Sequence, residues 1–129
     1  MSHTSEFRVY YEDTDAGGIV YYANYLKFAE RARTDWLRDH GFIQSQLLEK
    51  EAVAFVVRHC EADFIASARL DDKIVIETCL QEASKVRMKI KQVIRRGETI
   101  LVNLNVTVVC IKAGKPVRLP ETIRKLESR

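Results

Sequence analysis

Near Ala52 the hydrophobic period of the chain changes from 3.6 residues to two, and this change limits the folds open to it. Before it, Tyr22, Tyr25, Leu26, Ala29, Ala32, Trp36 and Leu37 recur at three- and four-residue steps, one stripe of an amphipathic helix. Lys27, Glu30, Arg31, Arg33 and Asp35 fall mostly on other faces. Asn24 is the expected N-cap, and Gly41 after His40 is the expected stop, since glycine takes the left-handed conformation at C′. Ala29 and Ala32 are small enough to let a sheet approach the helix closely. Residues 42–50 allow one more short helix.

After the change the chain reads as strands. Residues 52–65 form a long candidate, apolar at first and then alternating, and residues 66–72 supply a turn with Asp71 and Asp72. Ile74, Ile76, Thr78 and Leu80 share one face of the next strand. Val86, Met88, Ile90, Gln92 and Ile94 share a face of the one after, with Arg87, Lys89 and Lys91 opposite. Arg96-Gly97-Glu98 closes a hairpin. Ile100, Val102, Leu104, Val106, Val108 and Cys110 give the cleanest alternation, and residues 116–129 form a tail of little periodicity. Phe7, Val9 and Tyr11 alternate with Glu6, Arg8 and Tyr10 in a short first strand.

The order is therefore strand, long helix, then four long strands on short turns. Short connections imply antiparallel neighbours, so the class is α+β, with a five-stranded antiparallel sheet wrapped around one long central helix. With 129 residues the chain is expected to be a single domain over residues 1–129. One helix cannot hide both faces of such a sheet. Edges or outer apolar surface are expected to pair with another subunit, giving a homo-oligomer.

Composition excludes several classes. The formal charge of +3 suits an anionic small ligand and falls short of the basic patch of a nucleic-acid binder. Cys60, Cys79 and Cys110 are odd in number, far apart and without a CxxC pair. They are read as buried small hydrophobes in strands, and no metal site is expected. The first residues lack an apolar signal core, and no window approaches the roughly 20 apolar residues of a membrane span. These features together point to the cytoplasm.

Residues 11–25 (Tyr-Glu-Asp-Thr-Asp-Ala-Gly-Gly-Ile-Val-Tyr-Tyr-Ala-Asn-Tyr) join the first strand to the helix. Unpaired amides at a helix start favour negative charge, so polar groups delivered there are placed for chemistry on a carbonyl. Taken by itself, Asp15 reads first as a turn or capping carboxylate. Asp13 reads as structural, Glu12 as surface, and Tyr21, Tyr22 and Tyr25 as core or pocket.

These residues, with Glu30-Arg31-Ala32-Arg33-Thr34, Ala54-Phe55-Val56-Val57-Arg58 and Ala68-Arg69-Leu70-Asp71-Asp72, resemble the hotdog-fold acyl-CoA thioesterases of the 4-hydroxybenzoyl-CoA thioesterase type. The branch most resembled is the one associated with the bacterial Tol–Pal gene cluster. The likeness covers nearly the whole chain. It implies that Asp15, just before the Ala-Gly-Gly segment, is the catalytic carboxylate, and that the backbone N–H of Tyr22 polarises the thioester carbonyl. Many Tol–Pal-type members carry His where this chain has Tyr22, so only the backbone role carries over. The resemblance also implies an acyl-CoA substrate, with acyl carrier protein as an open second carrier, a dimer of dimers (homotetramer), and no cofactor.

Thioester hydrolysis needs a nucleophile or base near the carbonyl carbon and donors at the developing oxyanion. Gly17 and Gly18 permit close backbone approach, and Tyr25 is a candidate substrate contact. Coenzyme A carries phosphates, so Arg58, Lys85 and Arg87 are candidate contacts, with Lys89, Lys91 and Arg69 behind them. Three rivals stand against hydrolysis: a non-catalytic acyl-thioester binder or scaffold, a hotdog dehydratase, and an RNA-binding α+β domain. The dehydratase needs a His that residues 11–25 lack. The RNA-binding domain needs stacking aromatics that the strands lack.

Overall fold

The structure, a computed structural model, describes residues 2–126. The elements are β1 (His3–Arg8), α1 (Asn24–Asp39), α2 (Gln44–Glu51), β2 (Val53–Phe64), β3 (Lys73–Ala83), β4 (Arg87–Arg96), β5 (Thr99–Lys112), β6 (Lys115–Pro116) and α3 (Glu121–Arg124). A single turn of 3-10 helix spans Tyr11–Asp13. Strands β1 to β5 form one antiparallel sheet in the order β1-β3-β4-β5-β2, and two-residue β6 pairs with β5. This is the hotdog architecture expected, with α1 as the filling.

Helix α1 buries Tyr25, Phe28, Ala29, Ala32, Trp36 and Leu37. Two stripe assignments change. Leu26 is 43% exposed and Phe28 takes its place in the core; Phe28 lies with residues 25, 29, 32 and 36 at the centre of the buried face, whereas Leu26 lies at its margin. The helix starts at Asn24, so Tyr22 precedes it and Asn24 is not its cap. The Asn24 amide instead donates to Asp13 Oδ1 at 3.0 Å. The stop is as expected: Gly41 has φ +89°, Gly41 N–H reaches Arg38 O and Phe42 N–H reaches Leu37 O, the paired bonds of a Schellman motif.

The helix is seated on the sheet by a polar contact that the alternation hid. Gln92, on the inner face of β4, is fully buried. Its Nε2 donates to Ala29 O (2.9 Å) and Thr78 Oγ1 (3.0 Å), and its Oε1 accepts from Arg33 Nη1 (2.9 Å). Ala29 leaves room for that approach. The remaining inner face is apolar: Ile74, Ile76, Leu80, Met88, Ile90, Ile94, Leu104 and Val106 are all buried.

Other expectations need correction. Short connections imply adjacent strands, yet β2 and β3, separated only by residues 65–72, have β5 and β4 between them. Curling of the sheet brings their ends together at the N-terminal end of α1, where Tyr25 Oη accepts from Ala68 N–H at 2.8 Å. Ile100 is 43% exposed, because a bulge pairs Ile94 with Val102 but Arg95 with Ile100. The extra residue, Leu101, is buried, and its carbonyl accepts from Ile65 N–H (2.8 Å) and Ala66 N–H (3.1 Å). The tail up to Leu126 is not irregular throughout. It contributes β6, α3 and the buried Leu119 and Ile123; residues 127–129 lie outside the described residues. Cys110 is buried and Cys79 half-buried, but Cys60 is exposed because β2 is the edge of the sheet.

Candidate active site

The connection between β1 and α1 is built on Asp13. Its side chain is buried, and it accepts Tyr10 N–H at Oδ2 (2.8 Å) and the Asn24 amide at Oδ1 (3.0 Å). Its carbonyl accepts Tyr21 N–H at 3.1 Å. This carboxylate ties both ends of the loop together, the structural role expected of it. Glu12 is exposed.

Past Asp13 the chain makes a miniature hairpin in which Thr14 bridges Val20. Asp15 N–H donates to Ile19 O (2.9 Å), Gly18 N–H to Asp15 O (3.1 Å), and Gly17 N–H to Asp15 Oδ1 (2.8 Å). Gly18 has φ +77°, which a side chain would strain. A Cβ on Gly17 would stand 3.2 Å from Asp15 Oδ1. The glycine pair therefore shapes the turn that aims Asp15, and it leaves Asp15 Oδ2 without a hydrogen bond among the described residues. Asp15 itself is exposed.

Asp15 borders a cavity of about 300 Å³ lined also by Val20, Tyr22, Tyr25, Phe64 and Ser67. Phe64 meets the Tyr22 ring edge-on at 5.8 Å and the Tyr25 ring at 5.9 Å. Burial pushes the Tyr25 phenol above its ordinary range, against the opposing pull of the Ala68 N–H that it accepts. Tyr22 N–H, just ahead of α1, forms no hydrogen bond with any described residue and is an unspent donor at the helix entrance.

The far wall, residues 64–67, did not stand out in the sequence. Its signal was the break in alternation at Phe64-Ile65, where an apolar pair ends the strand. A clamp fixes the segment behind it. Arg96 Nη1 donates to Ser67 O (3.1 Å) and Asp72 Oδ2 (2.8 Å), and the same Asp72 oxygen accepts Arg69 N–H (2.8 Å). The segment in turn pairs with the Asp15 hairpin: Val20 N–H donates to Ala68 O at 2.9 Å, and Ile19 bridges Arg69.

The structure thus brings Asp15, Gly17, Gly18, Tyr22 and Tyr25 together. Arg58, Lys85 and Arg87 do not line this cavity within the chain. Arg58 sits on the β2 bulge, roughly 20 Å of strand from Phe64. Arg87 pairs with Val109 whereas Phe64 pairs with Val102, which is roughly 23 Å along β5, and Lys85 lies beyond it in the β3–β4 turn. No cluster of three or more His, Cys, Asp or Glu able to hold a metal occurs among the described residues. No helix among them is long and apolar enough to cross a membrane.

Known proteins similar to this chain are thioesterases. The chain is 48% identical over 119 residues to the acyl-CoA thioester hydrolase YbgC of Escherichia coli O6:H1, covering 90% of this chain and 88% of that one. It is 44% identical over 119 residues to the acyl-CoA thioesterase YbgC of Haemophilus influenzae, covering 91% and 88%. The crystal structure of a probable thioesterase from Bartonella henselae superimposes with a TM-score of 0.89 at 40% identity, covering 93% of this chain and all of that one. The sequence model of the thioesterase-like superfamily matches residues 9–126. With a match running from Val9, through the Asp15 hairpin, to the last described residue, this chain belongs to the thioesterase-like superfamily.

Proposed function

We propose that this protein hydrolyses acyl-CoA to the free acid and CoA, with Asp15 as nucleophile or general base and Tyr22 N–H polarising the thioester carbonyl. One observation carries the reading: the hairpin that fixes Asp15 leaves a carboxylate oxygen open beside a cavity whose wall includes Tyr22, with its N–H uncommitted. Attack by Asp15 on the carbonyl carbon expels the thiolate and forms a mixed anhydride, which water then cleaves. In the base pathway Asp15 takes the proton of the attacking water, and the thiolate leaves as the tetrahedral oxyanion collapses. Either way the oxyanion forms where the α1 dipole adds to the amide, and losing one such donor typically costs about 3 kcal/mol.

Gly17 and Gly18 serve the substrate through the shape of the turn, since both of their N–H groups are bound to Asp15. Tyr25 offers the acyl group a ring that the Ala68 bond holds still. Arg58, Lys85 and Arg87 are proposed as phosphate contacts delivered by a second subunit, because they lie too far along the sheet to reach the cavity of their own chain. The edge strand β2 supports the oligomer this requires, with Val56, Val57 and Phe64 exposed along it. A cytoplasmic site of action belongs to the same proposal and is supported by Cys60 and Cys110, which form no disulfide among the described residues.

The test is thiol release from acyl-CoA followed with a chromogenic reagent. Asp15→Asn is expected to lose activity by ~10³-fold or more while keeping its circular dichroism and Tm. Wild-type protein that binds acyl-CoA without releasing thiol would mark a non-catalytic binder, and an active Asp15→Asn would remove Asp15 from the chemistry.

A further inference from the structure

Tyr25, in the first turn of α1, is only 3% exposed, yet it lines the Asp15 cavity. Its hydroxyl is spent on one side only. Oη accepts Ala68 N–H at 2.8 Å, and the hydroxyl proton meets no acceptor among the described residues. A phenol hydroxyl both accepts and donates, and a buried donor left unspent is costly unless an acceptor comes to it.

The surrounding bonds fix where that hydroxyl lies. Ala68, which it meets, directly follows Ser67 of the cavity wall, and Ala68 O accepts the N–H of Val20, another wall residue. Helical side chains lean toward the helix N-terminus, so the Tyr25 ring covers the turn that begins at Tyr22. Phe64 packs against both rings. The O–H is therefore held at the wall of the cavity that Asp15 and Tyr22 border, at the helix end where negative charge is favoured.

Its chemical state suits a donor. Burial pushes the phenol up, with the Asp72 charge adding to it and the Ala68 N–H and Arg96 opposing, so the proton stays on the oxygen at neutral pH. The N–H that Oη accepts also polarises the O–H bond, since hydrogen bonds in a chain strengthen one another.

We propose that Tyr25 O–H is a second catalytic donor, hydrogen-bonding the thioester carbonyl oxygen together with Tyr22 N–H as negative charge develops there. No proton is transferred: the phenol keeps its hydrogen while Asp15 acts at the carbonyl carbon. The role rests on the hydrolysis proposed for this site and deepens it. It also goes beyond the ring contact with the acyl group, which a phenylalanine could make equally well.

Steady-state thiol release from acyl-CoA by the whole protein tests it. Tyr25→Phe keeps the ring and is expected to lower kcat by about 10²-fold, the usual cost of one oxyanion donor, with KM within about threefold of wild type. That variant also strands Ala68 N–H, so a second one separates chemistry from fold. A fluorinated tyrosine placed at position 25 accepts from Ala68 whether ionised or not, but its more acidic phenol loses the donor at lower pH. Its kcat is expected to fall along an alkaline limb that wild type lacks in the same range, with Tm unchanged across that limb. Full kcat in Tyr25→Phe, a change confined to KM, or a fluorinated variant that follows the wild-type pH profile would each overturn the proposal while leaving Asp15 in its role. Wild-type protein that releases no thiol would overturn the hydrolysis and this donor with it.

Discussion

Asp13 and Asp15 stand two residues apart, carry the same side chain and have opposite fates. Asp13 is 6% exposed and both its oxygens are engaged by Tyr10 and Asn24. Asp15 is exposed, with one oxygen spent on Gly17. Asp13→Ala should therefore act on stability, stranding the Tyr10 amide and the Asn24 side chain at a cost of about 1–3 kcal/mol, read as a lower urea midpoint at unchanged m. Asp13→Asn keeps one acceptor and should cost less. The residue pattern alone allowed either acid to be a turn group. Family resemblance favoured Asp15, and burial supplies the physical reason for setting Asp13 aside. Tyr22 shows the opposite limit: the residue is 61% exposed, and what singles it out is a backbone donor that no side-chain pattern can report.

At the scale of elements, the seat of α1 and the clamp behind the cavity both depend on polar groups within apolar surroundings. Gln92→Ala would remove three hydrogen bonds and leave the Arg33 guanidinium half-buried without its acceptor. A loss of about 2–4 kcal/mol is expected, measured by denaturant unfolding. The period places Gln92 on the inner face, but alternation carries no sign of the partners it meets there, Ala29 O, Thr78 and Arg33.

The clamp is expected to respond to pH. Partial burial pushes the Asp72 carboxyl up, but the Arg69 N–H and the hydrogen bond and charge of Arg96 outweigh it, so its pKa lies below the ordinary 3.8. A carboxylate with a depressed folded pKa stabilises the fold above its unfolded value and loses that contribution as pH falls through the folded one. Stability should therefore decline on acidification below about pH 4, with Asp72→Asn less stable than wild type near neutrality and showing a shallower acid decline. Because the side chain is one-quarter exposed, solvent screening keeps the effect modest.

For the whole molecule, the open question for the chain is its edge. β2 has β5 on one side and, among the described residues, no strand on the other, and its apolar side chains at Val56, Val57 and Phe64 are 39–48% exposed. Long, apolar, unprotected edges are rare in isolated chains. Light scattering at micromolar concentration is expected to give the mass of a dimer or tetramer, and Val57→Pro, which puts a ring and no N–H on that strand, should shift it toward monomer. A monodisperse wild-type monomer would remove the second-subunit role given to Arg58, Lys85 and Arg87.

The sequence by itself determined the elements: the change of period at Ala52, the stop at Gly41, and the hairpins around Gly97 and between β3 and β4. Each of these depends on local backbone preference and on which face of one element is apolar. Only the tertiary structure decided where β2 lies in the sheet, that Leu101 is an extra buried residue, that residues 64–67 wall the cavity, and that Gln92 and Arg33 meet beneath α1. These follow from sheet curl, a bulge and long-range hydrogen bonds, which depend on residues far apart in the chain and leave no period in it.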